Sequence, residues 1–353
     1  MNRLIYNCWF FVTLSVLGPA PGLQAQELFS GRDLRAENAA LHRIVDSLKR
    51  VIARFEGVLD PWDQITGIEE EESGELGYGI SSLDEAHNAV NAPSWLREAD
   101  PEMGLEYRAE IEGRLGGYRR RASSLGYAIG RYRYYEKSFE TTFARYGVPS
   151  EFMALAIVES AVSRTAVSNA GAAGVWQLMP ATARQYGLRV DDTVDERFDI
   201  AKSTDVAARV LRDLRRSLGN WGLAVMAYNC GSGNVRRAVI QNGGSTDPWT
   251  VWTLVPNETK AYLPSLVAVR YFLLYGAEEG IQAKPYRPSS GKTLKLSKDI
   301  DFAVVSLVLD IDLETLRRLN PQYICSVVPS GMPFCVPAKY ADALTKAVEE
   351  GRI

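Results

Sequence analysis

One acid stands alone in the stretch "ALAIVESAVSRTAVSNAGAAGVWQLMPATA", residues 154–183. Glu159 closes an apolar run that reads as a helix, and no histidine, cysteine pair or second carboxylate accompanies it. A carboxylate near a helix C-terminus opposes the helix dipole, and apolar neighbours withhold water from it. Both effects penalise the charged form and keep the proton on to higher pH. A carboxyl still protonated near neutrality can act as a general acid. On these grounds alone the other reading, a helix-end glutamate facing water, stands equally. Other chemistries have less to draw on. The two histidines, His42 and His87, lack metal-ligand spacing, so neither zinc chemistry nor a Ser-His-Asp triad is expected. No metal or cofactor is expected either.

The elements around Glu159 must position it. Pro149 precedes Ser150, an N-cap candidate for the helix "EFMALAIVES". Residues 104–146 pattern as two amphipathic helices, and the basic run Arg119–Arg121 reads as a solvated face, with contact to an anionic polymer as the alternative. Residues 200–218 form a further amphipathic pattern. "WGLAVMAY" (221–228) reads as a buried helix that runs into the glycine turn "NCGSGNV".

The chain has 353 residues, enough for about two domains, with 46% hydrophobic and 24% charged residues and a formal net charge of -3. That charge argues against nucleic acid as a partner. Residues 1–25 combine Arg3, a short apolar run and a small-residue end, the pattern of a secretory signal peptide, and place the protein in the periplasm or cell envelope. Residues 26–82 read as an N-terminal helix followed by an acidic linker. Residues 34–59 carry a near-heptad pattern, read as a docked helix or a weak self-contact. The catalytic region is expected over 83–280, a Pro/Ser/Gly linker over 281–291, a small unit over 292–340 and a polar tail over 341–353. An exported chain lives in an oxidising place, so a Cys325–Cys335 bridge is expected, with Cys230 left free.

Five motifs stand in order: "VES" (158–160), "AVSNAGAAGVWQLMPATARQYGL" (166–188), "DERFD" (195–199), "AYNCGSGNV" (227–235) and "PNETKAYLPSL" (256–266). Together they resemble the lytic transglycosylases of the soluble-lytic-transglycosylase (SLT) type, nearest the membrane-bound lytic murein transglycosylase D group. The resemblance implies a mainly α, goose-type-lysozyme-like catalytic domain. It implies Glu159 as the catalytic acid, and Ser168, Gln177, Met179, Tyr228, Asn229, Glu258 and Tyr262 as substrate-binding residues. Cys230 departs from the small alanine usual in the family. Residues 292–340 resemble a degenerate LysM module, a βααβ unit whose usual "GDTL" opening is here "SKDIDF".

The reaction implied is cleavage of the β-1,4 bond between MurNAc and GlcNAc in peptidoglycan strands, leaving a 1,6-anhydro-MurNAc end. The substrate's own 6-hydroxyl is the nucleophile, which explains why one acid suffices. A goose-type lysozyme-like hydrolase and an inactive peptidoglycan-binding scaffold are the alternatives. The linker suggests that the LysM-like unit is a tethered binding module that leaves the surroundings of Glu159 untouched.

Overall fold

The computed structural model describes residues 93–288 and 291–353. The signal peptide, the heptad helix, the acidic linker and the first residues of the catalytic region lie outside the described residues.

The part of the chain before residue 281 is built of helices and the loops that join them. In chain order it comprises α1 (Leu96–Ala99), α2 (Ala109–Arg120), α3 (Ala122–Arg145), a 3-10 turn (Ser150–Ala154), α4 (Leu155–Ser160), α5 (Pro180–Gln185), α6 (Ile200–Leu218), α7 (Trp221–Cys230), α8 (Ser232–Gln241), α9 (Pro248–Trp252), α10 (Asn257–Lys260) and α11 (Tyr262–Tyr275). The two most apolar, α7 and α11, run through the centre. A helix apolar on all sides is stable only when other elements surround it. Leu223 to Met226 and Leu266 to Val269 are accordingly all but inaccessible. The amphipathic helix α6 packs Val206, Ala207 and Leu211 inward against α7. Its ends are set by sequence: the Asp199 carboxylate accepts the Lys202 N–H at 3.0 Å, and Gly219 turns out at φ 76°. Asn220 caps α7 in the same way, through the Leu223 N–H at 3.2 Å.

The helix expected from Ser150 begins instead as a 3-10 turn, and Pro149 takes the cap position with no side-chain hydrogen bond. Only the last six residues, Leu155–Ser160, are α-helical.

The C-terminal unit is built from β1 (Lys292–Lys295), β2 (Ile300–Asp301), α12 (Phe302–Leu309), α13 (Leu313–Leu319), β3 (Val327–Val328), β4 (Pro333–Val336) and α14 (Ala341–Glu349). β1 pairs antiparallel with β4, and β2 with β3. Phe302 and Phe334 stack at 5.2 Å in its core.

Three sequence expectations are corrected here. Residues 341–353 are not a polar tail: α14 buries Ala341 and Leu344 in the core of the unit, and Ala347 is buried as well. No bridge joins Cys325 to Cys335; both are free thiols. The Cys325 thiol instead donates to the Asp192 carbonyl at 2.9 Å, while Cys335 lies in β4 opposite Thr293. Nor is the segment after Ile281 a free linker. The Lys284 N–H donates to the Gly126 carbonyl at 2.9 Å, and Tyr286 meets Tyr134 and Tyr135 edge-on or tilted. Gly126 and Gly130, one turn apart on α3, clear the lane for this strap. A β-carbon on Gly130 would sit 1.8 Å from the Lys284 carbonyl oxygen.

Candidate active site

Glu159 is the penultimate residue of α4. Leu155, Ala156 and Ile157 anchor that helix in the core, which leaves Glu159 partly buried at the edge of a cleft. The helix stops at once because Ala161 and Val162 adopt left-handed backbones at φ 51° and 61°. Such conformations cost energy in non-glycine residues and persist only where neighbours enforce them. Ser160 supplies one restraint: its hydroxyl donates to the Val175 carbonyl at 2.8 Å and accepts the Ser163 N–H at 3.1 Å. The serine of the "ES" pair thus ties the end of α4 to the loop that faces it.

That loop, residues 166–179, is folded by its glycines. Gly171 and Gly174 take φ 83° and 77°, and Gln177 takes 43°. Ser168 Oγ accepts the Ala172 N–H at 3.0 Å, closing the turn. The Gln177 amide nitrogen donates to the carbonyls of Gly174 at 2.9 Å and Ala166 at 3.3 Å. Trp176 is wholly buried against Phe139 and Phe143, and its indole N–H donates to Thr204 Oγ1 at 2.8 Å. Tyr228 reaches across from α7 and donates to the Trp176 carbonyl at 2.8 Å.

From α11, the Tyr262 hydroxyl donates to Glu159 Oε1. Burial pushes the Glu159 carboxyl up to about 7, and the Tyr262 hydrogen bond, which favours the charged form, pulls the other way. Burial first, and then the proximity of Glu159, hold the phenols of Tyr228 and Tyr262 well above their ordinary range, so both remain donors.

All eight residues named from the sequence line one open cleft of about 1080 Å³: Glu159, Ser168, Gln177, Met179, Tyr228, Asn229, Glu258 and Tyr262. Met179 and Glu258 are exposed on its walls, and Asn229 Oδ1 accepts the Thr259 hydroxyl at 2.8 Å.

Two parts of the site escaped the sequence reading. The first is the opposite wall, the face of α2 that carries Gly113, Arg114, Gly117, Arg120 and, just beyond the helix, Arg121. The basic run read as a solvated face divides: Arg119 pairs with Glu279 at 2.7 Å, while Arg120 and Arg121 line the cleft. The glycines at helical spacing were the available signal, because they leave this face without side chains where the cleft passes. The second is Arg197 of the "DERFD" motif. Its buried guanidinium pairs with Asp195 at 2.6 Å and donates to the carbonyls of Gly171 at 2.6 Å and Leu178 at 2.9 Å. It clamps both ends of the turn that carries Gln177.

Comparison with known families finds a match in each of the two parts of the chain. Residues 137–249 match the transglycosylase SLT domain, and residues 292–352 match the LysM-like domain of lytic transglycosylase MltD. The chain is 34% identical to membrane-bound lytic murein transglycosylase D of Escherichia coli K12 over 213 residues, which are 58% of this chain and 47% of that protein. It therefore spans about half the length of the curated relatives it matches. Among solved structures, lytic transglycosylase Slt of Pseudomonas aeruginosa aligns over 42% of this chain and 25% of its own, at 24% identity and a TM-score of 0.34. The 70 kDa soluble lytic transglycosylase of Escherichia coli aligns over 39% and 24%, at 26% identity and the same TM-score.

Proposed function

We propose that this protein is a lytic murein transglycosylase of the cell envelope that uses Glu159 alone as acid and then base. The observation that carries the reading is the state of Glu159. It is partly buried, held near 7, bonded by a phenol, and shifted by no second carboxylate. Most glycosidases that use water or a covalent intermediate place two carboxylates at a set separation. Here Glu159 gives its proton to the glycosidic oxygen between MurNAc and GlcNAc as that C1–O bond breaks. The resulting carboxylate takes the proton of the MurNAc 6-hydroxyl, and O6 closes on C1 to form the 1,6-anhydro ring. No water is consumed. An intramolecular nucleophile has an effective concentration that can far exceed any free group in solution.

The remaining cleft residues orient the sugars. With its nitrogen engaged, Gln177 offers its carbonyl oxygen as an acceptor. With its oxygen engaged, Asn229 offers its amide nitrogen as a donor. Tyr262 holds the carboxyl in place, Tyr228 braces the loop, and Ser168, Met179 and Glu258 complete the walls. The cell envelope is where peptidoglycan lies, and among the described residues no helix is long and apolar enough to cross a membrane.

Mass spectrometry of the muropeptides released from purified sacculi tests the reading. Anhydro ends, lighter by one water than reducing ends, are expected. Reducing ends alone would establish the hydrolase instead, and no release would establish the scaffold.

A further inference from the structure

Between α5 and α6 the chain forms a tight turn at residues 189–195. Asp191 Oδ1 accepts the N–H groups of Thr193 and Val194, each at 2.8 Å. The turn carries the Val194 side chain into the core of the C-terminal unit, where it is wholly buried in one cluster with Ile300, Phe302, Phe334 and Val336. Backbone pairing flanks it on both sides. The Asp195 N–H donates to the Gln322 carbonyl at 2.8 Å, and the Ile324 N–H donates to the Thr193 carbonyl at 3.0 Å. A residue of the catalytic part thus completes the core of the other unit.

The next link is one residue along. Asp195, whose N–H makes the inter-unit bond, holds Arg197 with its carboxylate, and Arg197 clamps the carbonyls of Gly171 and Leu178. The backbone of Arg197 also sits where a β-carbon on Gly174 would be, 2.1 Å from its oxygen. The clamped turn contains three left-handed residues; Gly171 and Gly174 take that backbone freely, but Gln177, at φ 43°, holds it only where neighbours enforce it.

We propose that the C-terminal unit is a positioning element of the catalytic cleft, acting through Val194, Asp195 and Arg197 on the turn that carries Gln177. This replaces the tethered module expected from the sequence. The strap over Gly126 and Gly130 fixes the connecting segment as well, so the unit is held at both its entry and its face. The role concerns geometry, because none of the C-terminal residues lines the cleft. Displacing an orienting group by about 1 Å can cost about 100-fold in rate, so a small loss of restraint is enough to matter.

The test uses the full chain with two substitutions made in parallel. Val194→Asp places a charge in the shared core. Ile324→Pro removes one inter-unit N–H donor beneath an exposed side chain. Hydrogen exchange followed by peptide mass spectrometry is expected to show residues 171–178 exchanging about ten-fold faster in both, with α7 still protected. On soluble glycan fragments kcat/KM is expected to fall about ten-fold, while the pH limb set by Glu159 stays in place and Val194→Ile restores both readouts. Wild-type exchange at 171–178 in Ile324→Pro, with wild-type turnover, overturns the proposal whatever Val194→Asp does. Only the kinetic arm rests on the transglycosylase reading, and failure of that reading would show separately, as no turnover by the unaltered protein.

Discussion

The hydroxyl of Tyr262 donates to Oε1 of Glu159 although 103 residues of chain separate them. The bond joins the end of α4 to the start of α11. It gives the acid a fixed orientation and a partner that stabilises it once the proton has left. Tyr262→Phe removes that partner. A hydrogen bond to a charged group is worth about 1.5–3 kcal/mol, and one pKa unit is 1.36 kcal/mol. The carboxyl should therefore hold its proton to higher pH, by about one unit or more. The alkaline limb of kcat/KM moves up accordingly and the maximal rate falls. A limb that moves to lower pH would contradict the assignment.

In the unaltered protein the acid must start protonated, so activity should decline as pH rises through about 7. Glu159→Gln should remove activity by about 10³-fold or more, since the amide neither gives an acidic proton nor takes one back. The fold should survive, because the amide oxygen still accepts from Tyr262 and no buried charge is introduced. Circular dichroism and muropeptide release check the two halves. Near-wild-type release would displace Glu159 from its role.

Gly174→Ala should destabilise the protein by about 3 kcal/mol or more. Its φ of 77° is costly for alanine, and the new β-carbon meets the Arg197 carbonyl, which is backbone and cannot swing aside. Denaturant titration measures the loss. A change under about 0.5 kcal/mol would mean that the loop has another low-energy form.

Replacing both Arg114 and Arg120 by glutamine should weaken binding to sacculi several-fold at low salt and flatten its ionic-strength dependence, because both line the cleft. Sedimentation binding assays at low and high salt read this directly. An unchanged salt dependence would return these arginines to the solvated surface.

Glu151, in the 3-10 turn before α4, is buried with Oε1 lacking a hydrogen-bond partner, and burial raises its carboxyl to about 7 while Arg270 opposes the rise. A carboxyl whose folded-state pKa is raised contributes stability below its ordinary value near 4.5, and that contribution is lost as pH rises through about 7. Glu151→Gln should therefore change little at pH 5 and gain about 1 kcal/mol at pH 8. Thermal melts at the two pH values should diverge; parallel shifts would show that the carboxyl ionises freely.

How much of this was legible in the sequence follows from the range of the forces involved. Apolar periodicity marked α6 and an unbroken apolar run marked α7, because such patterns are decided within a few residues of chain. The same local information singled out Glu159 as an acid among apolar neighbours, and the five ordered motifs named seven further residues that share its cleft. Pairings across long stretches of chain were not legible. Nothing local shows that Tyr262 meets Glu159, that Arg197 holds the turn at 171–178, or that the glycines of α2 face the cleft. The C-terminal unit is the clearest case. Its Pro/Ser/Gly entry reads as a tether because composition records only how easily a chain bends. Whether Val194 fills its core, whether a strap crosses Gly130, and whether Cys325 meets Asp192 instead of Cys335 depend on which surfaces close over one another. That choice is made by burial and hydrogen bonding between distant segments, and it exists only in three dimensions.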